Sequence, residues 1–387
     1  MALNGAAAAR APKWTDDLLD SMRLVGDPIA DDAVLDTLRA RDAPDASALF
    51  QLMVRSDRSS AAGLPRRLDA FLEATAGLPD WADPEQVARG QQLFEQWGVP
   101  ISVCLFCASL PSSYAAAASV QVLHLTARLE TDPRRRIMET GQFLVDVLSP
   151  GALRPAGDGR RVIQRVRLMH AVLRELIRSR AATDPALWRQ QWGLPINQED
   201  LAFTLQTFAS VLGEALPRLG IEVADDDAAA YLHLWNVIGH QLGVVDLLLP
   251  VDAPDARDLI AAIRGRQVAA SPEGAFMTTA LVELLEALTP LHRGDRYVPT
   301  LIRQLIGDDT AALLGVPDGA PEGGPARRWL GSLVAHGASP VERQAWVQRL
   351  AEPFGRELLT AAFRIERTGE RAPFAIPGSL ATAWRLA

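Results

Sequence analysis

The stretch RRVIQRVRLMHAVLRELI, residues 160–177, carries the pattern that decides the fold. Val162, Val166, His170, Leu173 and Ile177 recur at helical spacing, so one side of a helix gathers all five. Arg165, Arg167, Arg174 and Arg178 fall mostly beside or opposite that stripe. The pattern predicts a helix with one apolar face turned to a core. His170 is the exception on that face. An imidazole placed there either hydrogen-bonds inside the core or holds something bound in it.

Working outward, helical signals dominate. DPRRRIMETGQFLVDVLSPG, residues 132–151, opens with Asp132 as a cap and Pro133 at the first helical position, and closes at Ser149-Pro150-Gly151. A helix is expected to start near Asn197, with acidic residues in its first turn, and to stop at Gly220. Another spans ADDDAAAYLHLWNVIGHQLG, its acidic N-terminus favourable for the helix dipole. PEQVARGQQLFEQWG is expected to start at Pro84 and stop at Gly98. DDAVLDTLRARDAPDASALFQLMVRS reads as two helices broken at Pro44. Further helices are expected over 254–264, 272–288, 298–314, 326–336 and 340–364. No long run alternates with period two, and no fixed repeat is visible. The expectation is a single all-α domain over residues 15–387, preceded by a loose tail at 1–14.

Bulk properties narrow the function. The 387 residues are 48% hydrophobic and 22% charged, which fits a folded globular chain. A net charge of −8 argues against nucleic-acid binding. Lys13 is the only lysine, so neither a Schiff-base nor a P-loop lysine exists beyond it. Two cysteines cannot make a disulfide framework, which suggests a reducing compartment. The N-terminus lacks the basic region of a signal peptide, and no run reaches the roughly 18 apolar residues that a membrane span needs. The expectation is a cytoplasmic chain without a membrane span.

Cys104-Leu105-Phe106-Cys107 is a CxxC without a βαβ context, a following His or a second ligand pair, so two buried small residues are the better reading. His233 and His240 share a helix face but stand two turns apart, roughly 10 Å, too far to bind one ion directly. They read as core or pocket-lining residues. The common hydrolase, kinase and dinucleotide motifs are missing. Arg136, Thr140, Phe143 and Val147 share one helix face, with Gly141 beside it. A guanidinium and a hydroxyl on a partly apolar face suit a bound cofactor or oxyanion. An ordinary amphipathic helix with an exposed arginine fits the spacing equally.

The order of segments adds information. LPDWADPEQVARGQQLF, LFCASLPSSYAAAASVQVLHLTARL, DPRRRIMETGQFLVDVLSPGAL, RRVIQRVRLMHAVLRELI, WGLPINQEDLAFTLQTFASVL and AYLHLWNVIGHQLGV occur in that sequence. Together they resemble the oxygenase family that includes rubber-cleaving latex clearing proteins and MpaB. The resemblance covers roughly residues 15–310, with LIRQLIGDDTAALLGVP as a later block. It implies an all-α fold with a globin-like core around non-covalent haem b, and His170 as the axial iron ligand. Arg136 and Thr140 match the arginine and threonine on the dioxygen side of the rubber-cleaving members. Glu139 stands where those members carry a lysine, and Ser119-Val120-Gln121 stands where they carry a glutamate base.

The function expected from the resemblance is haem b dependent oxygenation of a small apolar, unsaturated or isoprenoid-like substrate, with dioxygen meeting the face opposite His170. Arg136, Glu139 and Thr140 are the candidate catalytic residues; His170, Arg136 and Thr140 the candidate cofactor contacts. Arg167 and Arg174 are candidates for the haem propionates, with surface solvation expected of at least one. The alternatives are a non-catalytic haem protein (sensor, carrier or electron-transfer module) and a haem-free helical protein in which His170 is a satisfied core residue.

Overall fold

Helix starts follow local capping chemistry. Asp27, Asp83, Asn197 and Asp252 each sit in extended backbone and accept hydrogen bonds from backbone N–H groups of the first turn. Proline occupies the first turn in three of those four helices, where no N–H is needed.

The computed structural model describes residues 13–40, 49, 65–130, 133–288 and 295–335. In order, the helices are α1 (Asp16–Met22), α2 (Pro28–Leu38), α3 (Asp69–Ala74), α4 (Pro84–Cys104), α5 (Leu110–Tyr114), α6 (Val120–Glu130), α7 (Pro133–Leu148), α8 (Gly159–Thr183) and α9 (Gln198–Ala209). They are followed by α10 (Leu216–Arg218), α11 (Asp225–Gln241), α12 (Ala253–Gln267), α13 (Pro272–Leu288), α14 (Tyr297–Ile306), α15 (Asp308–Leu313) and α16 (Pro325–Ala335). Among the described residues the only β pairing is one isolated bridge, Ala116 with Val268. The fold is all-α, as the periodicity predicts. The second half of the 31–56 pair and the 340–364 helix lie outside the described residues, as do residues 1–12. Trp14 is buried and donates its indole N–H to Leu247 O.

Three expectations change. The helix from Pro84 does not stop at Gly98. It kinks at Trp97, whose φ is −113° and ψ 18°, and resumes. Pro100 then falls in the first turn of the resumed segment, where its missing N–H costs nothing. A π turn over Leu105–Ser109 carries the chain on into α5. Pro84–Tyr114 is therefore one 31-residue unit, long and apolar enough to cross a bilayer by length and composition, although 83% of its most apolar window is buried in this fold. That corrects the expectation that no run is long enough. Finally, the 298–314 segment divides at Gly307, whose φ is +85°.

α4 forms the centre of the main core and packs along α11. The two backbones come close at Gly90, where an added Cβ would lie 2.9 Å from Leu234 Cβ and 3.0 Å from Ala230 O. The same core holds Phe94, Ile101, Leu148, Phe203, Tyr231 and Trp235, all almost completely buried. Cys104 and Cys107 are buried in it as free thiols. Against it stand α7, α8 and α9, and these helices build the site.

Candidate functional site

α7 and α8 are neighbours, and each turns one face inward. From α7, Arg136, Glu139, Thr140 and Phe143 face a cavity of about 260 Å³. From α8, Val162, Arg165, Val166, Met169, His170 and Leu173 face the same space. α9 closes it with Asp200, Leu201, Thr204, Leu205 and Phe208. Most of the remaining wall is apolar, including Leu110, Leu123, Trp235 and Met277. The four site residues singled out by sequence, Arg136, Glu139, Thr140 and His170, thus share one cavity.

His170 faces the cavity with an unusual hydrogen-bond balance. Its Nδ1 is buried and has no hydrogen-bond partner. Burial, reinforced by the positive charges of Arg174 and Arg136, pushes its pKa down to about 3, so the ring is neutral at physiological pH. A neutral imidazole with an unused nitrogen is the form that ligates metals.

Arg136 and Glu139 form an i,i+3 ion pair at 3.0 Å, with both side chains only 14% exposed. Glu139 also meets Arg135 at 3.2 Å. This anchors the Arg136 guanidinium while its Nε stays buried without a partner. The Thr140 hydroxyl donates to the Arg136 carbonyl at 3.0 Å, which leaves its oxygen lone pairs for a ligand. Tyr114 completes this corner: it is buried on the cavity wall, where the Arg136 charge acts against the burial that raises its phenol pKa.

Sequence spacing missed Asp200. Its place in the first turn of α9 explains it as a dipole partner, and no local pattern shows that the first turn is buried. Asn197 accepts from the Asp200 backbone N–H and donates its amide to the Asp200 carboxylate at 2.8 Å. Beside it, Glu199 is fully buried and accepts from Arg23 at 2.8 Å, Arg266 at 2.9 Å and Gln267 at 2.9 Å. Desolvation pushes the Asp200 pKa up to about 7; Arg23 opposes that rise and Glu199 adds to it. A carboxyl that exchanges its proton near neutrality therefore stands on the cavity wall. At 119–121 there is no carboxylate: Ser119 lines the cavity, and Gln121 hydrogen-bonds Ala117 O and Glu273.

Arg167 and Arg174 correct the sequence reading. Neither is solvated and neither lines the cavity. Arg167 makes a two-pronged pair with Asp27, NH2 to Oδ1 at 2.8 Å. Arg174 pairs with Asp31 and donates to the carbonyls of Pro195 and Ile196. Both are 7% exposed or less because α2 lays two carboxylates along α8. Long-range pairs of this kind leave no trace in local spacing. His233 and His240 are not in the cavity either. They flank the half-exposed Trp81, His233 accepting from Asp83 N–H at 2.9 Å and His240 meeting Asp246 at 2.6 Å.

The geometry is thus an all-α chain with a neutral histidine on the wall of a mostly apolar cavity, beside Arg136, Glu139 and Asp200. Residues 97–338 match the catalytic domain of the family described as ER-bound oxygenase mpaB/B′/Rubber oxygenase, and the chain belongs to that family. A rubber oxygenase from Streptomyces sp. (strain K30) is 28% identical over 267 residues, a match covering 68% of this chain and 64% of that relative, just under two thirds of its length. A latex clearing protein solved in its closed state superposes with a TM-score of 0.58 at 25% identity, over 94% of this chain and 89% of that one.

Proposed function

We propose that the chain is a haem-dependent oxygenase acting on an apolar, unsaturated, polyisoprene-like substrate. The observation that carries this is His170: a neutral imidazole with a buried, unpartnered nitrogen on the wall of an apolar cavity. The donor chemistry fits iron in a porphyrin, whose apolar faces match the aliphatic walls. His170 would hold the iron, and Arg136 and Thr140 would contact what binds in the cavity. The names of the relatives support the substrate class.

When bound, haem supplies the dioxygen chemistry that no side chain here can perform. The chain supplies the setting. Apolar walls from α5, α7, α8 and α9 exclude water and strengthen each polar contact inside. Arg136 offers its Nε–H to a partly negative oxygen, and Glu139 keeps that guanidinium in place. Thr140 presents lone pairs that accept from a protonated oxygen. Asp200 holds or releases a proton at its carboxyl near neutral pH. With no carboxylate at 119–121, Asp200 and Glu139 are the carboxyl groups lining this cavity.

The test is oxygen uptake by the hemin-loaded chain with oligoisoprenes, together with analysis for carbonyl products. The expected result is uptake with products, and a fall of about 10²-fold in kcat for Arg136→Ala with hemin still bound. Bound hemin with no uptake contradicts the oxygenase reading and favours the non-catalytic haem protein.

A further inference from the structure

Tyr114 is the last residue of α5 and lines the cavity that holds Arg136 and His170. It is 2% exposed, and among the described residues its hydroxyl makes no hydrogen bond. Its neighbour Ser113, on the same wall, is satisfied within the protein: it donates to Ser109 O at 2.9 Å and meets Thr207 Oγ1 at 3.0 Å. A buried phenol normally finds its hydrogen-bond partner inside the fold. One that lines a cavity without such a partner is directed at what the cavity binds.

The backbone around Tyr114 is held firmly. Ala269 N–H donates to Ala115 O at 3.1 Å and Ala117 N–H to Gln267 O at 3.0 Å, on either side of the Ala116–Val268 bridge. α13 also comes close at Gly274, where an added Cβ would lie 2.6 Å from Tyr114 O. A donor on such a fixed stretch needs little reorganisation to meet a ligand. The Arg136 charge acts on both the Tyr114 phenol and the His170 ring, so the guanidinium stands within electrostatic reach of each. Arg136 Nε is itself buried without a partner. Burial keeps the phenol protonated, which makes it a donor and not a base.

Resting on the haem reading above, we propose that Tyr114 O–H and Arg136 Nε–H donate together to one partly negative atom of the molecule bound in the cavity. In an apolar cavity, two fixed donors stabilise charge on that atom more than mobile water would. The chemistry they serve is a polarised oxygen or a small anion; an aliphatic chain gains nothing from them.

The test uses fluoride on the hemin-loaded chain. Fluoride on ferric haem accepts hydrogen bonds, whereas neutral imidazole bound through one nitrogen has no lone pair left to accept one. In Tyr114→Phe, which keeps the ring and removes the hydroxyl, fluoride affinity falls about ten-fold. Imidazole affinity and hemin uptake stay the same. The apo variant melts at the temperature of the unaltered apo chain or above it, because no hydrogen bond within the protein is lost. Unchanged fluoride affinity with hemin bound overturns the proposal. So does a parallel loss of imidazole or hemin affinity, since the hydroxyl then shapes the haem site itself. An apo variant that melts lower overturns it as well, since the hydroxyl then serves the fold. If the unaltered chain takes up no hemin, the haem reading fails and this proposal with it.

Discussion

The Arg167–Asp27 pair gives the sharpest stability prediction, because its worth follows from burial. The two side chains are 8% and 5% exposed, joined by two hydrogen bonds, and Arg167 NH1 also reaches Gln241 O at 3.4 Å. Arg167→Met leaves a buried carboxylate unpaired, at a cost of about 3–5 kcal/mol. Asp27→Ala leaves the guanidinium unpaired and also removes the cap of α2, which adds about 1 kcal/mol. Either loss is a large share of the roughly 5–15 kcal/mol by which a domain is stable. The double variant removes both buried charges together, so its cost falls well below the sum, with a coupling of about 2 kcal/mol or more. Urea unfolding of the four apo-proteins, followed by circular dichroism, measures this directly. Arg167 is three residues before His170, so the single variants should also bind hemin more weakly. Additivity within about 0.5 kcal/mol, or a cost below about 1 kcal/mol for Arg167→Met, would refute the reasoning.

Other expectations follow from the same contacts. Gly243 has a φ of +89°, and an added Cβ would run into Asp27 Oδ2 and Arg167 Nε; Gly243→Ala should cost about 2 kcal/mol or more in the same urea experiment. For Asp200, the folded pKa near 7 lies above the ordinary carboxyl value, so the folded chain binds the proton more tightly than the unfolded one. The contribution of this group to stability is then fully present below about pH 4 and is lost as pH rises from about 4 to 7. Melting temperatures across that range should flatten in Asp200→Asn; an unchanged slope contradicts the assignment. Cys104 and Cys107 are fully buried, and desolvation pushes both thiols up, so Ellman's reagent should find no reactive thiol until denaturant is added.

What was legible in the sequence follows the range of the interactions. Helix starts at Pro84, Gln198 and Pro272 and the stop after Leu148 are set by residues within a turn or two, so caps, prolines and glycines revealed them. The run through Gly98 was not legible, because whether a Gly-Val-Pro stretch ends a helix or begins its next segment depends on the packing of Phe94 and Ile101 on either side. The stripe Val162-Val166-His170-Leu173 marked an inward face, and the structure turns it to the cavity. Arg136, Glu139 and Thr140 share a turn with their main partners, so their grouping was visible too. Asp200 and the fate of Arg167 were not, since each depends on residues far away in the chain: Arg23 for Asp200 and Asp27 for Arg167. Acidic residues at the start of α9 serve the helix dipole and a buried ion network alike, and composition does not tell these apart.

The most direct measurement is a spectrophotometric titration of the apo-protein with hemin, for the unaltered chain and His170→Gly. The account predicts a saturable Soret band at one hemin per chain, its loss or displacement in His170→Gly, and its return on addition of free imidazole. An unaltered chain that develops no band, or a glycine variant whose spectrum matches it without imidazole, would contradict the central claim that His170 holds the iron.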